Sequence, residues 1–299
     1  MHVVVGGATG FLGRHLVEAL REHGHTTTSL VRRAPEAEGE SRWDPATGLL
    51  DAQVIEDADV VVNAAGSSLL GIPQTRSYAR TLLESRVSPT QTLANAIAAS
   101  HRKPAFLAQN GTARYGEHGA EPVAEDADSL ADTMMGHVTR QWEDATRVAR
   151  DAGARVCVLR TAPVLDRESL TLTILRRLFG LGLGGRLGSG EQYFPVVSLR
   201  DWIGAALHLA EHPDAGGPFN VCCPETPTNA EFTRALAAAL HRPAFMHVPA
   251  PVIKLGTGPM AAELLTSVNL APQALQDAGF EFRDRDVTEV LASGLAGRR

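Results

Sequence analysis

With 44% hydrophobic and 21% charged residues over 299 positions, the sequence has an ordinary globular composition, enough for one large α/β core or two small ones. A net charge of −6 argues against nucleic acid or an anionic membrane surface as a partner. No apolar run could span a bilayer, the N-terminus lacks the pattern of a secretory signal, and three cysteines cannot form a disulfide framework, so a reducing cytoplasm is the expected location.

The chain opens on Val3-Val4-Val5, a β-branched run that suits a buried parallel strand. Gly7, Gly10 and Gly13 follow at a G-x-x-G-x-x-G spacing, and a helical pattern starts at once. The first glycine permits a tight turn, the second lets a pyrophosphate approach the backbone, and the third lets helix and strand pack closely. The helix start offers unpaired N–H groups and a partial positive charge to phosphates. These glycines, with Thr9, Phe11 and Leu12 between them, are candidate dinucleotide contacts. The helix is expected over 11–23 and the second strand over 26–31. An NAD site wants an acid at the end of that strand. Here Val31 is followed by Arg32-Arg33, and a guanidinium suits a 2′-phosphate, so NADP(H) is the expected cofactor, with Val31 and Arg32 beside it.

Residues 42–48 read as a turn-rich connection. A buried strand over 59–63 runs into Ala64-Ala65-Gly66, small enough for close approach of a cofactor. A helix over 81–100 and a strand over 105–108 lead to the loop 110–116, at the sheet edge where open α/β sheets bind ligands. The acidic stretch with Glu125, Asp126 and Asp128 reads as a solvated loop. A helix over 136–151 and a strand over 155–159 complete the alternation. The expected fold is α/β, a Rossmann-type doubly wound parallel sheet with a smaller C-terminal substrate-side subdomain. The boundaries are 1–165 for the dinucleotide domain, with 195–225 returning to it, and 166–194 plus 226–299 for the subdomain. The glycine-dense stretch 178–190 reads as a shaped loop. Short strands are expected over 194–197 and 219–221, helices over 201–210 and 229–240, the last capped by Thr228 with Glu231 in its first turn. Cys157, Cys222 and Cys223 read as core thiols, and no metal site is expected.

Further short motifs occur in a characteristic order: Trp43-Asp44-Pro45, Val62-Asn63-Ala64-Ala65-Gly66, Ser85-Arg86-Val87, Tyr115-Gly116, Trp142-Glu143, Leu159-Arg160-Thr161, Gly217-Pro218-Phe219-Asn220 and Ala278-Gly279-Phe280-Glu281-Phe282. With the glycine turn they span nearly the whole chain. In this it resembles the extended short-chain dehydrogenase/reductases, and more closely their atypical epimerase-like branch with a small C-terminal domain of unknown function. The resemblance implies NADP(H) binding, with Arg32, Ala64, Ala65 and Arg86 near the cofactor and the C-terminal part over a substrate cleft. Gly66, Arg140 and Val164 complete the candidate cofactor contacts.

At the catalytic positions the sequence departs from that superfamily, which pairs a Ser with a Tyr-x-x-x-Lys. The Ser position is Gly111, the Tyr position Gly136 and the Lys position Arg140. Arginine can hold a ribose hydroxyl but not exchange protons, and glycine supplies none. Candidates to take over are Thr112, Tyr115 and His137, with Arg140 as the retained cation. Each also has a plain structural use, as loop cap, packing residue or surface group. The leading expectation is an NADP(H)-dependent oxidoreductase or epimerase-like enzyme acting on a small carbonyl or hydroxyl substrate without the usual Tyr. An NADP(H)-binding sensor or scaffold without turnover and a non-redox cyclase or dehydratase remain as alternatives. Substrate and oligomeric state are open.

Overall fold

The computed structural model describes residues 1–67, 76–128 and 131–297. Its centre is a sheet of eight strands: β1 (His2–Gly6), β2 (Thr26–Val31), β3 (Glu40–Asp44), β4 (Leu49–Leu50), β5 (Val60–Asn63), β6 (Ala105–Gly111), β7 (Val156–Thr161) and β8 (Gly217–Val221). The spatial order is β8-β7-β6-β5-β1-β2-β3-β4, and every pair is parallel except β3 with β4. Strand order therefore reverses at β1, between β2 and β5, the switch point where such sheets bind ligands. Val3, Val4 and Val5 are fully buried, as a strand covered on both faces requires.

The helices follow from apolar stripes and caps. They are α1 (Phe11–Glu22), α2 (Ala52–Glu56), α3 (Arg76–Ala99), α4 (Met134–Asp144), α5 (Arg147–Asp151), α6 (Leu170–Gly180), α7 (Leu199–Glu211) and α8 (Asn229–Ala239). Leu16, Val17, Ala19 and Leu20 of α1 join one core with α7 residues such as Trp202 and Leu209. Leu93, Ala94 and Ile97 of α3 lie in the core on the opposite side, with Phe106 and Trp43. Thr228 and Glu231 form a reciprocal capping box at the start of α8. After it come α9 (Ala250–Thr257), α10 (Ala261–Leu265), α11 (Gln273–Asp277) and α12 (Val287–Ala296). A third core joins α6, α8 and α12 through Leu172, Phe179, Phe232, Leu236 and Val290.

Four local readings change. Residues 42–48 are not a plain connection: β3 and β4 form a hairpin there, with Gly48 at φ +74° in its turn. Trp43, 3% exposed, anchors it, and two short strands leave too few residues for an alternating pattern to show. The helix expected over 136–151 is two helices. Thr133 accepts the Gly136 N–H and starts α4 earlier, and Thr146 turns its hydroxyl back onto the Glu143 carbonyl at the break. The glycine-dense stretch carries a strand, Gly185–Leu187, pairing with Met246–Val248. Gly185 is required there, since a Cβ would lie 1.9 Å from the Met246 carbonyl oxygen. Of the strand expected over 194–197, only its end pairs, as Val197–Ser198 with Val164–Leu165. All three cysteines are buried and free. No described helix is long and apolar enough to cross a membrane.

Candidate functional site

A cavity of about 1040 Å³ opens at the carboxyl ends of β1, β2 and β5. Gly7, Thr9, Gly10, Val31, Arg32, Ala64, Ala65 and Gly66 line it. Gly7 sits at φ +79°, and a Cβ on it would lie 2.6 Å from the backbone of Ala64 and Ala65. Only glycine lets these two turns meet. A Cβ on Gly13 would lie 2.2 Å from the Gly7 carbonyl oxygen, so Gly13 serves helix packing rather than the cavity wall. Gly10 begins α1 with no capping side chain and no acid follows in the first turn, leaving the end N–H groups to an anion. Phe11 and Leu12 pack on the core behind the turn and do not line the cavity.

The two arginines after β2 have different uses. Arg33 forks onto Glu40 at 2.7 and 2.8 Å and holds that carboxyl down at about 2. Arg32 is exposed, lines the cavity, and makes no hydrogen bond or ion pair among the described residues.

The far wall comes from α3. Thr81, Glu84, Ser85 and Ser88 line it at i, i+3, i+4 and i+7 spacing, one polar helix face. Sequence reasoning missed these residues, although that spacing was there to be read. Asp44 and Pro45 line the rim. They belong to a motif noted only for its family likeness. Arg86 does not line the cavity. Its guanidinium is buried, donates to the Leu82 and Ser67 carbonyls at 3.1 and 3.0 Å, and lies 5.3 Å over the Trp142 ring. Burial draws its pKa down to about 10. It braces the 64–67 loop from behind. Asn63 shares this support: it donates to Thr90 at 2.8 Å, accepts the Ala65 N–H at 3.1 Å, and Trp142 also donates to Thr90.

The corner after β6 holds the residues named as catalytic candidates, and none lines the cavity. At Gly111 a Cβ would meet only Thr139 Cγ2 at 3.5 Å, an ordinary contact. At Gly136 a Cβ would lie 2.4 Å from the Ala131 carbonyl oxygen and 2.7 Å from its Cβ. The chain at Ala131 fills the place a side chain would take. Arg140, one turn on, donates to that same carbonyl at 2.6 Å and contacts His137 Nδ1 at 2.6 Å. Its charge holds a wall, not a ligand, in this arrangement. His137 is exposed and pairs with Asp132 at 3.0 Å. Thr112 opens a short 3-10 turn, half-buried, and its hydroxyl has no hydrogen bond among the described residues. Val164 pairs with Val197 away from the cavity.

Tyr115 is 1% exposed, which removes it from the cleft. Its hydroxyl donates to Asn220 Oδ1 at 2.6 Å and accepts from Arg160 at 2.8 Å. Burial pushes its pKa up to about 12, the opposite of what a proton-transferring phenol near neutral pH needs. Arg160 also forks onto Glu143 at 2.9 and 3.2 Å. Glu125 is not a solvated acid: half-buried, it accepts the Asn220 and Ala274 N–H groups at 2.8 and 3.1 Å, and burial raises its pKa. Glu263 on α10 is also half-buried, has no partner among the described residues, and is lifted by burial to about 7.

Residues 3–222 match the NAD dependent epimerase/dehydratase family, and 248–293 match a domain of unknown function, DUF1731. An epimerase family protein of Mycobacterium bovis is 35% identical over 290 residues, covering 97% of this chain and 96% of its own. The human epimerase family protein SDR39U1 is 34% identical over 287 residues, covering 94% and 95%. A crystal structure of that human protein with NADPH superposes with a TM-score of 0.88 at 32% identity, over 97% of this chain and 98% of the other. MoeE5, in complex with UDP-glucuronic acid and NAD, shares the fold at a TM-score of 0.74 and 22% identity, over 98% and 97%. The order of the strands, the glycine turn against Ala64 and the match over 3–222 together place this chain, which carries a DUF1731 match after it, in the NAD dependent epimerase/dehydratase family.

Proposed function

We propose that the chain binds NADP(H) and acts as an oxidoreductase or epimerase-like enzyme on a small carbonyl- or hydroxyl-bearing substrate. Residues 1–165 with 195–225 would form the dinucleotide unit, and 166–194 with 226–299 would cover the substrate. The observation that carries this reading is Arg32, whose guanidinium has no partner among the described residues and lines the same cavity as the glycine turn and Ala64-Ala65-Gly66. It suits a 2′-phosphate, which Arg33, spent on Glu40, does not. The NADPH in the human relative's crystal structure supports the same reading. The backbone from Gly7 to Gly13 would hold the pyrophosphate, with Ala64, Ala65 and Gly66 beside it. A bound nicotinamide supplies or accepts the hydride. The Thr112 hydroxyl, without a hydrogen bond among the described residues, would hold a substrate oxygen, and Arg140 keeps the Ala131 wall in place.

Titration of NADPH and NADH fluorescence with the wild type, Arg32→Gln and Arg33→Gln tests cofactor choice. NADPH should bind about ten- to a hundredfold more tightly than NADH, and only Arg32→Gln should lose the preference. Equal affinity of the wild type for both cofactors would falsify the reading. Stopped-flow absorbance of bound NADPH against a carbonyl panel tests turnover, which Thr112→Val should slow. A second reading, NADP(H) binding without turnover, draws on the filled place at Gly136. Tight binding with no oxidation by any carbonyl favours it.

A further inference from the structure

Charge and apolar exposure are segregated in this chain. Residues 169–190 and 232–262 contain six arginines and lysines and no Asp or Glu, with Glu168, Glu191, Glu231 and Glu263 at their borders, in a chain that carries −6 overall. The fold brings these two segments together. Gly185–Leu187 pairs with Met246–Val248, and Arg176, Arg177 and Arg242 line one open cavity of about 420 Å³ between α6 and the end of α8. The side chains of Arg176, Arg177, Arg242 and Lys254 make no ion pair or hydrogen bond among the described residues. The same segments hold most of the large apolar side chains that stand exposed among the described residues. Of the eleven large apolar side chains standing exposed among the described residues, eight lie in them, with Phe245 and Leu255 89% and Leu181 75% exposed. Scattered exposed apolar side chains are normal, but this concentration within a basic face marks an interaction surface.

The occupant must be apolar and negatively charged. A second copy meets only the first condition: packed about a two-fold axis, the face would set arginines against arginines. The interface of an acidic bilayer meets both, with apolar depth below a layer of anionic headgroups. We infer that this face docks on an anionic phospholipid bilayer. Phe245, Leu255 and Leu181 enter the boundary between headgroups and acyl chains, and Arg176, Arg177, Arg242 and Lys254 hold headgroup phosphates. The net charge of −6 speaks against such a surface only as an average over both faces.

Flotation of the full chain with vesicles tests this, using phosphatidylcholine alone and phosphatidylcholine with one-third phosphatidylglycerol. Binding is expected to the acidic vesicles only and should weaken in high salt. The combined Arg176→Gln, Arg177→Gln, Arg242→Gln variant should bind on the order of a hundredfold more weakly, whereas lysine at the same three positions should keep the binding. Phe245→Ser with Leu255→Ser should abolish it. Circular dichroism and the thermal midpoint report whether each variant is folded. Should the apolar pair unfold the chain, the arginine triple decides, because it alters exposed side chains alone. Absent or equal binding to the two vesicles, or undiminished binding by the folded glutamine triple, overturns the inference. So does a dimer in sedimentation that the apolar pair dissolves, or an acidic protein partner that binds this face while acidic vesicles do not.

Discussion

Two glycines in this chain are crowded alike, to opposite effect. A Cβ on Gly7 would lie 2.6 Å from the Ala64 backbone, and one on Gly136 would lie 2.4 Å from the Ala131 carbonyl oxygen. At Gly7 the crowding is on one side only, and the other side is the cavity at the switch point. Removing a side chain there lets something else approach the backbone. At Gly136 the neighbouring chain has moved into the vacancy, and Arg140 fastens it by the same carbonyl. Removing a side chain there closes a wall. A missing side chain therefore says little until its neighbours are known.

The comparison breaks most easily at Gly7. Gly7→Ala should cost about 3 kcal/mol or more, because it adds both a strained φ and a backbone clash, and it should abolish dinucleotide binding. An alanine variant with normal chemical denaturation and normal NADPH titration would break the argument. Gly136→Tyr comes next. It should lower stability by about 2–3 kcal/mol and yield no gain in hydride transfer, since Ala131 occupies the space. A gain in carbonyl reduction with an unchanged melting temperature would show the wall to be soft. Gly111→Ser, facing only Thr139 Cγ2, should change stability by less than about 0.5 kcal/mol.

Tyr115 sharpens the same contrast between the open and the closed side. Tyr115→Phe leaves Asn220 and Arg160 short of a partner and should cost about 1–3 kcal/mol, with kcat unmoved. The native phenol has its pKa raised from 10.0 to about 12, so it stays protonated where an unfolded tyrosine would ionise. Its contribution is complete below pH 10 and is lost as pH rises toward 12. Alkaline unfolding should therefore be steeper in the wild type than in Tyr115→Phe. A smaller effect than at Tyr115 is expected at Glu263, raised from 4.5 to about 7. Its protonated form is the favoured one in the fold, so the favourable contribution is present below pH 4.5 and lost as pH passes 7. Glu263→Gln should gain about 1 kcal/mol at pH 8 and nothing at pH 4, read as a shift in urea midpoint.

Local chemistry was enough to read Val3 to Gly13, because a buried strand, a tight turn and a helix start each leave their mark within a few residues. Arg32 and Arg33 could not be told apart that way, since Glu40 chooses between them from the neighbouring strand. Glu125 reads as solvated beside Asp126 and Asp128, yet its partners are Asn220 and Ala274, about a hundred residues and more along the chain. The wall at Gly136 is equally hidden. No pattern in 129–140 announces that Ala131 will turn toward the helix. Beside the glycine turn, the polar face of α3 is a part of the site that spacing alone would have yielded.

Glu125 has a further consequence, for synthesis. Its carboxylate and that of buried Asp201 accept backbone N–H groups from Ala274, Arg283 and Asp284, and Arg167 donates to the Gly294 carbonyl. A nascent chain of some 260 residues already contains all eight strands of the sheet. It still lacks both backbone donors of buried Asp201 and one of the two donors to Glu125. The domain that begins at the first residue thus cannot reach its full stability on the ribosome until 269–294 have emerged.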